Sequence, residues 1–530
     1  MVMDSTSTAQ DKVASHSTAG HTGAFKSAFD RIFSRHLMSM AVLAILPLIF
    51  TLSLNSAKQC LMDPDIWWHL ANARTLCTTH QFMHTVPNSF TVAGQPWVNP
   101  EWLSELPYWL SYQALGLRGI YLMEWLVMSA NLVFLYWRGV RRSNNPGAAF
   151  YAGALGFVLV SVNSGPRTIA IAYLAMSSEL AILDAVARGK TRFLWLLPPL
   201  FCLWINLHGS WLIGMSLLVL YILCGSFSFN KGAFQQDAFT AADRNRLLMV
   251  LGLCLAALML NPYGWRLVWN PLDMMMNQKL NIANVMEWKP LNLSSIAGGA
   301  AALAMCFMVI ANCLNGRKWR IYELAFIFFA WYAALDHMRF LFLAAVITIP
   351  FIADDIARGF ELEFDPKTIP AMNALLVAGA AGVFIYMFPS EAAMQKKLAS
   401  FFPMESINAI QPSWRTFNYD NIGGMMAFQS KPSYIDSRFD IFEHNGEFAD
   451  FLRVMYGVRT LEIFDKYRID HVIMPENTAP SYILSHAPAW SLAKREKIAD
   501  SDYLTFARTP PGPATPPASE SSSQPPAKQH

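Results

Sequence analysis

The chain has 530 residues, of which 54% are hydrophobic and only 15% charged. A soluble protein carries roughly 25% charged residues, so this composition excludes an ordinary soluble enzyme. The net charge of +3 is small and no basic stripe is present, which gives no reason to expect nucleic acid as a partner.

Residues 1–36 are polar, and the sequence reads as lacking a cleavable signal peptide. The first apolar run, 37–54, follows Lys26, Arg31 and Arg35 and reads as an uncleaved signal-anchor. Further apolar runs lie near 119–137, 147–163, 167–187, 193–208, 211–227, 247–261, 295–314, 322–336, 340–357 and 370–388. Each approaches the ~20 residues that cross the hydrocarbon core of a bilayer. Starting with the N-terminus inside and flipping at every run puts most cations on one side. Arg138, Arg141 and Arg142, then Arg188, Lys190 and Arg192, then Lys231, Arg244 and Arg246, then Arg317, Lys318 and Arg320, and finally Arg358 and Lys367 all fall inside. This matches the positive-inside rule. It leaves the loop 55–118, the loop 262–294 and everything after 389 outside.

The expected fold is therefore an α-helical polytopic membrane protein of about 11 transmembrane helices, in the inner (plasma) membrane, with a cytoplasmic N-terminus. The membrane domain covers 37–388. A small extracytoplasmic α/β domain covers 389–508, with helices expected over 447–456 and 460–467 and strands over 434–436, 471–474 and 503–507. The Pro- and Ser-rich tail, 509–530, reads as disordered. Cys60 and Cys77 share the first outside loop, and a disulfide between them stays open.

That loop holds the most unusual residues. In Asp63-Pro64-Asp65-Ile66-Trp67-Trp68-His69-Leu70, Asp63 suits an N-cap and Pro64 the first helical position. Helical spacing puts Ile66, Leu70, Ala73 and Cys77 on one stripe and Asp65, His69 and Asn72 on another. The paired tryptophans suit a membrane interface, so the helix is expected to lie on the outer surface. The pattern repeats in Asn99-Pro100-Glu101-Trp102-Leu103-Ser104-Glu105, where Glu101 and Glu105 share a face. Acids favour first turns simply because they offset the helix dipole. Two such motifs in one loop point instead to a cleft. There a carboxylate serves either as a general base or as a metal ligand. Arg167, Arg266 and Arg339 lie at outer span ends, where each either holds a phosphate or snorkels to the interface. His208 and His337 sit at outer ends too, and Glu179 and Asp184 are acids within a span.

These motifs resemble the GT-C superfamily of membrane glycosyltransferases, whose long first outside loop bears an acidic pair. Asp63-Pro64-Asp65 matches that pair. Trp67-Trp68-His69, Pro96 to Trp102, Asn261-Pro262-Tyr263-Gly264-Trp265, Tyr434 to Arg438 and Arg468 to Ile473 are similar to a bacterial branch of that superfamily. The resemblance implies an inverting transferase that moves a sugar from a polyprenyl-phosphate-linked donor to an acceptor glycan, lipid or protein outside. It implies Asp63, Asp65 and Glu101 in catalysis and Arg167, Arg266 and Arg339 on the donor phosphate. His69, Glu105, His208 and His337 are secondary candidates. A divalent metal, Mg or Mn, on Asp63 and Asp65 is the cofactor to test. Two alternatives remain: a transporter or flippase of lipid-linked glycans without chemistry, for which Pro198-Pro199 would interrupt a helix, and a glycan polymerase or ligase.

Overall fold

The computed structural model describes residues 59–161, 165–359, 370–499 and 501–509. The first expected span, 37–54, the N-terminal segment 1–36, Lys367 and residues 510–530 lie outside the described residues. The other expected spans coincide with the helices Leu117–Ser143, Pro146–Ser161, Ile169–Ala187, Leu197–Leu207, Trp211–Cys224, Ala241–Ala257, Ile296–Asn315, Ile321–Asp336, Leu341–Gly359 and Pro370–Met387. Four are long and apolar enough to cross a membrane alone: Leu117–Ser143, Ile169–Ala187, Ile296–Asn315 and the segment Met338–Gly359. Ala374–Met387 and Glu391–Ala399 form an apolar pair bent by 53°. The total of eleven spans rests on the charge pattern rather than on helix length. Pro198 and Pro199 lie in the first turn of Leu197–Leu207, directly after the 3-10 turn Thr191–Leu196. A proline there lacks only an N–H that the helix start leaves unbonded anyway.

Among the described residues, the first sheet is a hairpin of β1 (Phe229–Lys231) and β2 (Phe234–Gln236). The second lies near the C-terminus and combines β3 (Thr416–Asn418), β4 (His471–Pro475), β5 (Trp490–Glu496) and β6 (Tyr503–Arg508) in the order β3-β4-β6-β5. β3 pairs parallel with β4, and the remaining pairs are antiparallel. The helices Glu447–Met455 and Thr460–Tyr467 pack with it, as their spacing predicts. Residues 434–436, by contrast, are not a strand. The Asn418 side-chain oxygen accepts from the Tyr434 and Ile435 amides at 2.8 and 3.4 Å, so a side chain takes the place of a neighbouring strand.

The acidic helix Asp65–Thr79 does not lie on the outer surface. It is sandwiched between Trp102–Leu115 and the C-terminal helix Asp420–Phe428. Its expected apolar stripe is real, since Ile66, Leu70 and Ala73 are fully buried. The tryptophans are core residues rather than interface anchors. Trp67 packs on Phe402 and Phe428, and the Trp68 indole N–H donates to Asp65 and Ser437 at 3.2 and 3.1 Å. Cys77 is a free thiol, and the Cys60 side chain lies outside the described residues. One apolar core runs from Tyr121 in the helical layer through Ile66 to Met425 and Met426 in the C-terminal part.

Gly424 sets the closeness of that contact. A Cβ at this position would come 2.1 Å from the Pro64 carbonyl oxygen, on backbone that cannot yield cheaply. Gly424→Ala should therefore cost about 1–3 kcal/mol of stability, read as a lower Tm of the purified full chain. An unchanged Tm would mean the two layers have slack.

Candidate functional site

The two helix starts are built alike. Asp65 N–H donates to Asp63 Oδ1 at 3.0 Å, and Glu101 N–H donates to Asn99 Oδ1 at 3.1 Å. Regular helix begins at Asp65 and Trp102, slightly later than the prolines suggest. Both starts face the N-terminal end of Ile169–Ala187, and between them lies a polar chamber of about 70 Å³. Asp65, His69, Glu101, Arg167, Thr168, Tyr173, His208, Glu287 and Arg339 are among its lining.

His69 is clamped between two carboxylates. Its Nδ1 lies 3.0 Å from Glu105 and its Nε2 3.3 Å from Glu101. Only an imidazolium donates on both sides. Burial works against that charge, but the Glu105 hydrogen bond, then Glu101 and Asp65, carry the pKa above its usual value. Glu105 is also fixed by Asn72 and Asn99 at 3.2 and 2.9 Å, which marks it as an anchor.

Glu101 accepts from the Thr168 hydroxyl at 2.6 Å, and its other oxygen lies 3.1 Å from His208 Nε2. The Ser210 N–H donates to His208 Nδ1 at 2.9 Å, so Nε2 faces Glu101 with the proton. Burial alone would raise the Glu101 pKa. The contacts to His208, then His69 and Thr168, overcome it and hold the carboxyl at about 2.

Arg167 Nε donates to Asp63 Oδ2 at 2.5 Å, and the same guanidinium pairs with Glu287. Burial would lower its pKa, but Asp63 and Asp65 raise it instead, so it stays charged. Asp65, by contrast, is not paired with Arg167. Burial, then the Asp63 charge, raise its pKa above 3.8 against the pull of Arg167 and His69.

A second cavity, about 320 Å³, adjoins the chamber. It is mainly apolar, with Met176, Leu212, Ile213, Pro271, Met274 and Ile282 in its walls. Glu101, Ile169, Tyr173, His208 and Arg339 line both spaces and form the boundary. The Arg339 guanidinium lies over the Trp288 ring at 4.1 Å.

Asp65, Glu101, Arg167, Arg339, His69 and His208 thus meet at one chamber. Asp63 and Glu105 border it through Arg167 and His69. His337 lines only the apolar cavity, with Nδ1 2.6 Å from the Trp288 carbonyl oxygen. Arg266 does not join them: it is exposed on the helix Trp265–Asn277 and lines neither space. Glu179 and Asp184 are also elsewhere, Asp184 being bonded to Arg138 at 3.1 Å. Glu287, Thr168 and Tyr173 escaped the sequence reading. The signal for Glu287 was a single acid among apolar residues, Val285-Met286-Glu287-Trp288, in a loop already assigned to the same face as Asp63.

The Asp63–Asp65 pair does not fit a Mg or Mn ion. Asp63 spends one oxygen on the Asp65 N–H and the other on Arg167, and Asp65 Oδ1 accepts from Trp68. No group of three or more His, Cys, Asp or Glu side chains among the described residues is arranged to hold a metal. The positive charge beside this pair is Arg167.

Because the Glu101 pKa is depressed in the folded state, its contribution to stability is complete above about 4.5 and lost as the pH falls towards 2. The Tm gap between wild type and Glu101→Gln should shrink on going from about pH 5 to about pH 2.5. A gap independent of pH would contradict this.

No family model and no curated protein matches the sequence. Solved structures do. The apo oligosaccharyltransferase of Archaeoglobus fulgidus matches with a TM-score of 0.50 at 11% identity, over 82% of this chain and 69% of that one. ArnT from Cupriavidus metallidurans matches in the apo state with a TM-score of 0.49 at 13% identity, over 87% and 97%. Its undecaprenyl-phosphate-bound form gives 0.46 at 12% identity over the same shares. At such identities the likeness is one of fold alone: the chain shares the fold of the Archaeoglobus fulgidus oligosaccharyltransferase.

Proposed function

We propose that the protein transfers a sugar from a polyprenyl-phosphate-linked donor to an acceptor hydroxyl on the outer side of the membrane. The observation that carries this reading is the shared wall between a charged chamber and an apolar cavity. A donor with a hydrocarbon tail, an anionic phosphate and a polar sugar needs those environments side by side. The tail would lie against Met176, Leu212 and Met274. Arg339, on the boundary, would take the phosphate.

Asp65 is the better general base of the acidic pair. Asp63 is held by Arg167 and by a backbone amide, whereas Asp65 has a raised pKa and lines the chamber. A base works best when its pKa approaches the working pH. In the proposed step Asp65 takes the acceptor hydroxyl proton as that oxygen bonds to the anomeric carbon. The bond from the anomeric carbon to the phosphate oxygen breaks, and its electron pair leaves with the lipid phosphate. Displacement in one step inverts the anomeric centre. Arg339 stabilises the leaving charge, and the His69 imidazolium with Glu101 fixes the chamber wall.

Transfer from a polyprenyl-phosphate sugar in proteoliposomes tests the roles. Asp65→Asn and Arg339→Met should each lower kcat at least about 100-fold, while Arg266→Met should stay within about twofold of wild type. Full activity of Asp65→Asn would refute the base assignment. The rate should rise with pH through a midpoint above the ordinary aspartate value, because burial and Asp63 both disfavour the ionised form that catalysis needs.

A further inference from the structure

The other end of Ile169–Ala187 carries a second charged site. Thr168 lines the outer chamber, and Arg188 caps the helix at its far end. At 1.5 Å per residue the two lie ~30 Å apart, one hydrocarbon thickness. There Arg138, Arg141, Arg142 and Arg188 line a shallow depression with Trp137 and Asp184.

The charges do not cancel within the protein. Arg138 bonds to Asp184 at 3.1 Å and Arg142 to Glu323 at 2.8 Å. Arg141 and Arg188 are exposed and make no ion pair among the described residues. Arg138 is 5% exposed, and its Nε is buried without a hydrogen-bond acceptor. Arg142 Nε is likewise unmet. Like charges held this close repel, and buried guanidinium N–H groups without acceptors are costly. An oxyanion at the mouth of the depression, against the exposed Arg141 and Arg188, would offset that repulsion.

Trp137 favours a lipid source for that oxyanion. It is 46% exposed beside the arginines and packs on Phe134 with ring centroids 5.5 Å apart. An aromatic ring at the end of a membrane helix suits the headgroup level. Basic pockets between membrane helices bind anionic headgroups.

We propose that this pocket binds the headgroup phosphate of an anionic glycerophospholipid in the leaflet opposite the chamber. The site is independent of the glycosyl-transfer reading. In the charge assignment this leaflet is the cytoplasmic one.

The test uses the full chain in nanodiscs of phosphatidylcholine, with and without one quarter phosphatidylglycerol. Wild type should gain at least about 3 °C in Tm from phosphatidylglycerol, as a ligand of the folded state requires. The gain should fall by half or more in the Arg141→Gln/Arg188→Gln variant, with its Tm in pure phosphatidylcholine unchanged. The single variant Arg141→Gln should show an intermediate gain, which guards against a fold defect in the pair. Soluble glycerol phosphate should give no gain. Equal gains in wild type and both variants would overturn the proposal. So would an equal gain from glycerol phosphate, because the ligand would then be a soluble anion.

Discussion

Arg167 is the joint on which the site depends. Its guanidinium bonds Asp63 from the first loop and Glu287 from a loop more than two hundred residues later. Asp63 is buried, and a buried charge without a partner costs several kcal/mol, so Arg167 is what holds it in place, while Glu287 is only partly covered. The same pairing frees Asp65 to respond to burial, because Asp63 takes the strong contact. One cation therefore leaves two neighbouring aspartates in different settings: Asp63 bonded to Arg167, and Asp65 a buried carboxyl whose pKa is raised. That division of environment is how paired carboxyl groups acquire different roles.

The C-terminal part completes the arrangement from the other side. Ser437 shares the Trp68 N–H with Asp65, and the Arg438 guanidinium lies over Trp68 and Trp97 at 5.4 and 4.8 Å. Arg438 itself is buried and bidentate on Asp436. The close approach at Gly424 presses the C-terminal helix onto the acidic turn. Ser437 of the C-terminal part thus lies against Asp65 and offers its carboxyl a hydrogen bond that works against the upward shift. The C-terminal part is a structural backing of the acidic helix as well as a sheet in its own right.

How much of this was legible in the sequence follows from periodicity and burial. Apolar runs mark helices well, and each described span reading met one. The acids, Arg167 and Arg339 were legible because orientation put them on one side, and a shared side is the condition for convergence. Arg266 shows the limit of that logic. It meets the same side condition but points to the surface, and one-dimensional charge counting holds no information on direction. Trp67 and Trp68 misled for a related reason. Tryptophan suits an interface and a core equally, and only the presence of a covering layer decides. The short strands β3 and β5 were missed because three residues of buried Thr-Phe-Asn carry no period, and β5 is mostly exposed. Segment 434–436 looked like a strand because it is short and buried, yet its partner is the Asn418 side chain.

The central claim is that the charged chamber and the apolar cavity hold one ligand between them. The most direct measurement is an experimental structure of the full chain with a bound polyprenyl phosphate. The account predicts the phosphate against Arg339 at the boundary, with the first isoprene units between Met176, Leu212 and Met274. A phosphate bound away from Arg339, with the tail on another face of the helical layer and the cavity empty, would contradict it.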